Sequence, residues 1–276
     1  MADIGINAMS SIDAMRKDFI RTIRRLREGG CGWIEAMSDW GASRETVEFY
    51  AEMSGGPSGW DRENTVRRIQ EMKKYGLRVE GLFVFYEHLE EQAEDLGKYC
   101  LENGISYVVV SFLEYGDIDD IYGKIALIRN VSEKLRLFHV QILIHNHEQD
   151  SRIVRDRDGS ERRILDIILR ELEPEELMLE VDTGWLVYAG VDAVSYVREN
   201  RERIAALHLK DLCRGYEKVQ RDSIFVPCGQ GVVDFPGIFK EVSSGPPVRL
   251  ILDQDSSQGD IIKDHLASMR YLRSMI

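Results

Sequence analysis

The sequence predicts an α/β fold, a single (β/α)8 TIM barrel, from three observations. Short apolar runs alternate with longer amphipathic segments along the whole chain, and eight such pairs fit in its 276 residues. Most of the apolar runs are continuous, which is typical of strands buried on both faces of a parallel sheet. No Gly-rich phosphate-binding turn follows the first run, where Asn7-Ala8-Met9-Ser10 stands, and this disfavours the alternative of a doubly wound open sheet.

The predicted elements form one domain that spans residues 1–276. Runs rich in Val, Ile, Leu and Phe predict strands over Ile4–Asn7, Gly32–Ala36, Arg78–Phe85, Tyr107–Phe112, Val140–His145, Leu177–Asp182, Ile204–His208 and Arg249–Asp253. Apolar spacings of three and four predict helices over Ile12–Arg27, Glu63–Tyr75, Glu87–Glu102, Ile118–Leu137, Arg162–Leu172, Val194–Arg201, Phe235–Val242 and Ile261–Met275. Gly76 and Gly104 follow two of these helices, where a left-handed cap favours glycine.

The composition argues against several classes of protein. Hydrophobic residues make up 43% of the chain and charged residues 30%, which supports a large core and argues against disorder. The formal net charge of -12 argues against nucleic acid as a partner, because binding to phosphate backbones relies on clustered Lys and Arg. No apolar run approaches the roughly 20 residues that a membrane-spanning helix needs.

The cysteines and the N-terminus favour a cytoplasmic location. The four cysteines are widely spaced, without a Cys-x-x-Cys pair, as expected of reduced thiols. The first residues show no basic segment followed by an apolar stretch, so we expect no signal peptide. Homo-oligomerisation is left open.

Two long connections are candidate lids. Residues 38–60 contain several glycines and aromatic residues, and residues 210–231 are polar with one proline. Long loops after barrel strands commonly cover the substrate, although such loops can also lie on the surface without a special role.

Three of the six histidines fall at or just beyond predicted strand ends, where a TIM barrel keeps its chemistry. His145 and His147 are two residues apart and therefore share a face, with Glu148 and Asp150 close behind them. A lone histidine is more often structural, but a His-x-His with two carboxylates at a strand end indicates a site.

The next strands end on further metal-binding side chains. Asp182 ends the sixth predicted strand and His208 the seventh, while Asp253 and Asp255 stand at the end of the eighth. Asp182 could instead cap a helix, but Gly184 and Trp185 intervene before the next helical pattern. One of the two last aspartates could cap the helix after Gly259.

These side chains predict a divalent-metal site. Mixed oxygen and nitrogen ligands without thiolates suit Mn²⁺, Mg²⁺, Co²⁺ or Zn²⁺ and disfavour a structural zinc. Such an ion can polarise a hydroxy-carbonyl while a nearby carboxylate moves a proton. Lys210 and Arg214 could stabilise an enediolate or bind phosphate; the alternative is that both are solvated surface cations.

The chain resembles the xylose isomerase-like TIM barrels, also called sugar phosphate isomerases/epimerases, and is most similar to a branch with a His-Asn-His strand end. The resemblance covers the C-terminal half well, whereas the N-terminal half matches only in pattern. Its motifs are His145-Asn146-His147 with Asp158-Gly159, Leu179–Trp185, Ala189–Asp192, Ile204–Asp211, Gly229–Phe235 and Leu252–Asp255.

The resemblance implies a metal held by a strand-five acid, Asp182, His208 and a strand-eight acid. Members typically carry Glu at both acid positions, and these two acids move a proton across a cis-enediolate. Here Asp253 stands at strand eight. His145 occupies the strand-five position, which leaves Glu148 or Asp150 as the acid, and Glu148 is favoured. The predicted metal ligands are then Glu148, Asp182, His208 and Asp253, with Glu148 and Asp253 catalytic.

The resemblance also implies substrate contacts. Trp185 stands where epimerases of the family often have a substrate-binding His, and Arg214 matches a substrate-binding Arg by its spacing from His208. With His145, His147 and Lys210, these are the predicted contacts to a sugar. The departures argue against a standard ketose 3-epimerase more than against the metal.

The leading hypothesis is a metal-dependent isomerase or epimerase of a sugar or keto-sugar. The runner-up is a lyase or dehydratase that uses the same enediolate to expel a β-substituent: water, as inosose dehydratases on this fold do, or the aglycone of a keto-glycoside. A DNA-repair enzyme of the endonuclease IV type would need more histidine ligands and a basic groove. A non-catalytic sugar-binding barrel is the remaining alternative, since Glu is missing at strand eight.

Overall fold

Eight parallel strands close into a barrel in the computed structural model, which describes residues 3–111 and 113–276. Each strand pairs with its neighbours in the chain, and the last pairs with the first, so the predicted (β/α)8 TIM barrel is confirmed. The strands are β1 (Ile4–Asn7), β2 (Cys31–Met37), β3 (Arg78–Val84), β4 (Tyr107–Val110), β5 (Gln141–His145), β6 (Met178–Asp182), β7 (Ile204–Leu209) and β8 (Arg249–Leu252).

Burial on both faces explains why the strand segments read as continuous apolar runs. Every residue of β1, β2, β4 and β7 is buried. One face of each strand packs inside the barrel and the other packs against the surrounding helices. The carboxyl ends of all eight strands meet at one end of the barrel, here called the mouth.

The helices surround the barrel, and most begin at a polar cap. They are α1 (Ile12–Lys17), α2 (Phe19–Glu28), α3 (Arg44–Met53), α4 (Arg62–Lys73), α5 (Leu89–Asn103), α6 (Ile118–Arg136), α7 (Ile164–Glu171), α8 (Thr183–Tyr188), α9 (Ala193–Asn200), α10 (Phe235–Val242) and α11 (Ile261–Arg273). Gly76 and Gly104 adopt φ of 70° and 73°, in the left-handed region expected of helix caps. Among the described residues, none of these helices combines the length and the hydrophobicity that crossing a bilayer requires.

The predicted bounds of the first strand match the observed ones, and those of the other strands differ by one or two residues. Phe112, the predicted end of the fourth strand, lies outside the described residues. The single predicted helix Ile12–Arg27 is in fact two helices. Asp18 between them is extended, with φ of -160°, and its side chain accepts a hydrogen bond from Arg21 N to begin α2.

Two expectations about caps were wrong, whereas the lid interpretation of residues 38–60 stays a prediction. The candidate lid of residues 38–60 contains α3, whose N-cap is Ser43. Helix α8 follows β6 without a break, and Asp182 caps it, because Gly184 and Trp185 belong to the helix rather than to a loop. The helix after Gly259 is capped by Asp260, not by Asp253 or Asp255.

Candidate active site at the barrel mouth

His145 is the strand-five side chain at the mouth. It ends β5, its ring is 3% exposed, and Nε2 lies 3.8 Å from Asp182 Oδ2 while Nδ1 lies 2.9 Å from Glu180 Oε1. Burial, together with the neighbouring His208, holds its pKa well below the ordinary value. His145 is therefore a neutral imidazole, the form that binds a metal or accepts a proton.

Asp182 and His208 lie side by side, because β6 and β7 pair in a register that places them opposite each other. Asp182 Oδ1 accepts the hydrogen bond from Trp185 N at 2.8 Å. Its Oδ2 is buried and takes no hydrogen bond from the described residues, but it forms an ion pair with Lys210 Nζ at 3.0 Å. Burial raises the pKa of this carboxyl, and Lys210 partly opposes the shift. Capping α8 thus uses one oxygen and leaves the other for a cation.

His208 is completely buried between three carboxylates. Its Nε2 lies 2.7 Å from Glu35 Oε2 and 3.0 Å from Glu180 Oε1, and its Nδ1 lies 3.1 Å from Asp253 Oδ2. Burial alone would lower the pKa of His208, but the acidic neighbours raise it well above its ordinary value, so a metal ion that binds this ring would displace a proton from it. This ring is held on both sides and cannot turn freely.

Lys210 is a buried cation. The alternative suggested from sequence, that it is a solvated surface cation, is wrong. Lys210 is 2% exposed, and Nζ lies 3.0 Å from Asp182 Oδ2, 2.9 Å from Asp253 Oδ2 and 2.8 Å from Asp255 Oδ1. Burial would lower the pKa of Lys210, but these carboxylates raise it well above its ordinary value. In turn, Lys210 and His208 outweigh the effect of burial and hold the pKa of Asp253 well below its ordinary value.

Glu35 and Tyr107 are buried beneath the mouth, and sequence reasoning missed both. Glu35 of β2 accepts hydrogen bonds from Tyr107 Oη at 2.8 Å and from Asn7 Nδ2 at 3.1 Å. Tyr107 reaches it because Gly81 on the intervening strand has no side chain, and a Cβ there would overlap the Tyr107 ring. The signal was a lone carboxylate inside the apolar run of β2.

A cavity of about 250 Å³, here called the inner pocket, opens above these side chains. Its basic and acidic lining comes from His145, His147, Lys210, Arg221, Asp253 and Asp255, and its remaining lining from Asn7, Met9, Ser10, Met37, Tyr50, Met53, Phe83 and Trp185. Trp185 is 4% exposed and its ring lies 5.6 Å from that of His147. Burial lowers the pKa of His147 to about 3, so this imidazole is neutral.

The structure brings most of the predicted site residues together, but leaves two outside. Glu148 begins a short 3-10 helix and does not line the inner pocket, and its Oε1 pairs with Arg221 at 2.5 Å. Arg214 is exposed on the loop after β7. Asp150, the alternative strand-five acid, accepts hydrogen bonds from His147 N and Tyr115 Oη instead. Arg221, which sequence reasoning did not single out, lines the inner pocket and lies over the Trp185 ring at 4.6 Å.

The residues present fit a divalent metal ion. Ligand atoms of His145, Asp182 and His208 all lie within 4.8 Å of one another, a spacing compatible with ligand bonds of about 2.0–2.2 Å. The buried Asp182 Oδ2, which already faces a cation at Lys210, and the neutral ring of His145 are the kind of donors such an ion takes. A second group, formed by Glu35, Glu180 and His208, lies deeper in the barrel. The shallower group adjoins the inner pocket, because His145 lines it.

Sequence comparison matches about a third of this chain to curated proteins and does not identify a substrate. No family model matches the chain. An inosose dehydratase from Geobacillus thermodenitrificans is 29% identical over 91 residues, 29% of this chain and 30% of the relative. One from Clostridium perfringens is 31% identical over 106 residues, 34% of this chain and 32% of the relative. The similarity thus spans about a third of the length of these curated relatives.

Solved structures of similar fold cover nearly the whole chain. A sugar phosphate isomerase/epimerase from Parabacteroides distasonis matches with a TM-score of 0.77 at 16% identity, over 99% of this chain and 98% of that one. A xylose isomerase domain protein from Alicyclobacillus acidocaldarius matches with a TM-score of 0.67 at 12% identity, over 100% of this chain and 98% of that one. The IolI protein with a bound zinc atom matches with a TM-score of 0.69 at 12% identity, over 99% of this chain and 96% of that one. The fold is therefore that of the xylose isomerase-like TIM barrels.

Proposed function

We propose that this chain is a divalent-metal-dependent enzyme, acting as one domain, that removes a proton beside the carbonyl of a sugar or keto-sugar and forms an enediolate. The observation that carries the proposal is the cluster of His145, Asp182 and His208 beside Lys210 and Asp253 at the barrel mouth. Asp182, His208 and His145 would hold the ion, and Asp253 is a further candidate ligand. When bound, a divalent ion polarises the substrate carbonyl.

Asp253 is the proposed proton acceptor. It lines the inner pocket, and its lowered pKa keeps it ionised. Lys210 stays protonated and stabilises the negative charge that develops on the enediolate oxygen. His147 and Trp185 line the same pocket and would orient the sugar, as would Arg221.

The position of the carboxylates favours proton transfer on one face of the sugar. Among the described residues, the two carboxylates that line the inner pocket are Asp253 and Asp255, and both follow β8. Glu148, the second acid suggested by sequence, is held by Arg221 and does not line this pocket. This arrangement supports an isomerase that removes and returns the proton with one group more than an epimerase with acids on opposite faces.

A dehydratase is the second candidate. The curated relatives that match part of the chain are inosose dehydratases. The same enediolate can expel a hydroxyl on the neighbouring carbon, and the protonated Lys210 lies in the pocket to assist its departure.

Incubation in D₂O with Mn²⁺ and a panel of aldoses, ketoses and inososes tests both candidates. An isomerase incorporates deuterium beside the carbonyl and keeps the composition of the sugar, whereas a dehydratase also loses one water. Asp253→Asn should reduce the rate by about 10²–10⁴-fold, the usual contribution of a general base, and Asp119→Asn on the exposed start of α6 is the matched control. A protein that binds metal yet exchanges no proton on any of these sugars would contradict the proposal.

A further inference from the structure

A second and larger cavity opens beside the inner pocket, on the side of β3 and β4. It has a volume of about 620 Å³ and is here called the outer cavity. The two cavities share Tyr50, which lines both. Helix α3 carries that residue, and the neighbouring Met53 lines the inner pocket while Phe49 lines the outer cavity. A molecule longer than one sugar ring could therefore lie across both spaces.

One side of the outer cavity is a row of aromatic rings. The Phe49 and Tyr50 ring centroids are 5.5 Å apart, and those of Tyr50 and Phe85 are 5.1 Å apart. Helix α3 has no buried residue, and Phe49 is 61% exposed. Covering such a surface removes apolar area from water, which is favourable, and exposed apolar surface of this kind often marks a ligand groove.

A buried hydroxyl group points to a polar ligand in the same cavity. Ser111 follows β4, is 3% exposed and lines the outer cavity. Its Oγ has no hydrogen-bond partner among the described residues. Buried hydroxyl groups are nearly always hydrogen-bonded, so a ligand hydroxyl placed against Ser111 would supply the missing partner.

The charges around the outer cavity oppose an anion. Among the described residues that line it, Glu45, Glu87 and Glu114 are acidic and Arg152 is the single cation. The inner pocket is different, because Lys210 and Arg221 lie there. A phosphate group in the outer cavity would face carboxylates, whereas the hydroxyl groups of a neutral ring could donate to them.

We propose that the outer cavity is a subsite for the second, neutral ring of a glycoside whose first ring occupies the inner pocket. Aromatic rings would pack against the faces of that second ring, and Ser111 and the glutamates would bind its hydroxyl groups. The inference rests on the proposed function and narrows its substrate class from free sugars and sugar phosphates to glycosides.

Calorimetric titration of the whole protein tests the proposed subsite by measuring binding, so it does not depend on catalytic activity. The probes are glucose, glucose 6-phosphate, and the disaccharides cellobiose, maltose and lactose. At least one disaccharide should bind about tenfold more tightly than glucose, the scale expected from one further packed and hydrogen-bonded ring. Ser111→Ala and Phe49→Ala should each lower the ratio of disaccharide to glucose affinity by about threefold or more. Leu137→Ala, at a site that is 75% exposed near the end of α6, should leave this ratio unchanged.

Three results would overturn the subsite: glucose 6-phosphate binding most tightly, an unchanged ratio in both cavity variants, or no disaccharide binding. A dimer that Phe49→Ala dissociates, with an unchanged ratio, would assign the face of α3 to a second copy of the chain. Failure of the proposed function is seen separately, as tight disaccharide binding without any proton exchange in D₂O.

Discussion

The two halves of the barrel contribute different kinds of side chain to the same mouth. Strands β5 to β8 end on, or are directly followed by, ionisable residues that lie within contact distance of one another: His145, Asp182, His208, Lys210 and Asp253. Strands β1 to β4 and the segments after them supply mainly methionine, aromatic and hydroxyl side chains to the two cavities. We infer that the C-terminal half carries the chemistry and the N-terminal half the recognition of substrate.

The largest effect is expected in the C-terminal half. Asp182→Asn and His208→Ala each remove a proposed metal ligand, so metal affinity should fall by more than about 100-fold, beyond the effect of losing an outer partner. Isothermal titration with Mn²⁺ measures this, and Asp119→Asn is the control. Unchanged Mn²⁺ affinity in both variants would place the metal elsewhere.

The next effect concerns the cation of the cluster. Lys210→Met leaves Asp182 and Asp253 buried without their shared partner, and removing one member of a buried ion pair typically costs about 3–5 kcal/mol. Urea unfolding in the absence of metal should show this loss, while Lys263→Met on an exposed face should not. Added Mn²⁺ should restore part of the stability, since it supplies positive charge to the same carboxylates. A Lys210→Met protein as stable as the wild type would mean that these aspartates are protonated.

A smaller effect on metal affinity tests whether the N-terminal half of the barrel takes part in the chemistry. Glu35 belongs to the N-terminal half, yet it lies 2.7 Å from His208 Nε2 and would orient that ring. Glu35→Gln should lower metal affinity by about 10–100-fold, as expected for a group that positions a metal ligand. Glu80→Gln, at a surface ion pair with Arg78, is the matched control. If Glu35→Gln binds Mn²⁺ as the wild type does, the N-terminal half has no part in the chemistry.

The smallest expected effect is on the pH dependence of stability, and it comes from Asp150, where the N-terminal and C-terminal halves of the barrel meet. Asp150, after β5, accepts a hydrogen bond from Tyr115, after β4, and burial raises its pKa to about 6. Because the folded protein holds this proton more tightly than the unfolded chain, stability should fall as the pH rises from about 4 to about 6, by about 2 kcal/mol. Asp150→Asn should lack this component in urea unfolding curves measured across that range. An identical pH dependence in the variant would show that Asp150 titrates normally.

The C-terminal half was the more predictable one from sequence. Asp182, His208 and Asp253 each end or follow an apolar run, and strand ends of a parallel barrel meet at one place. The N-terminal contributions lie inside strands or on a helix within a predicted loop, as Glu35 and Tyr50 do. The lone carboxylate inside the apolar run of β2 marks Glu35 as unusual, but the sequence does not show that it lies beneath a histidine 173 positions away.

Within the C-terminal half, the sequence did not predict which residue after β5 faces the mouth, because it does not reveal how the chain turns there. Carboxylates beyond a strand end are placed by the turn that follows, and the 3-10 helix after His147 carries Glu148 to Arg221. Spacing alone does not reveal that turn. It could not decide between His145, Glu148 and Asp150: the sequence-based assignment to Glu148 is untested, and the grouping of His145 with Asp182 and His208 leads us to propose His145 instead.

A crystal structure with Mn²⁺, located by its anomalous scattering, tests the central claim most directly. We predict one ion at the mouth, within about 2.4 Å of Asp182 and His208 and coordinated by His145. An ion bound by Glu148 or Asp150, or in the deeper group of Glu35 and Glu180 with the mouth left empty, would contradict the account.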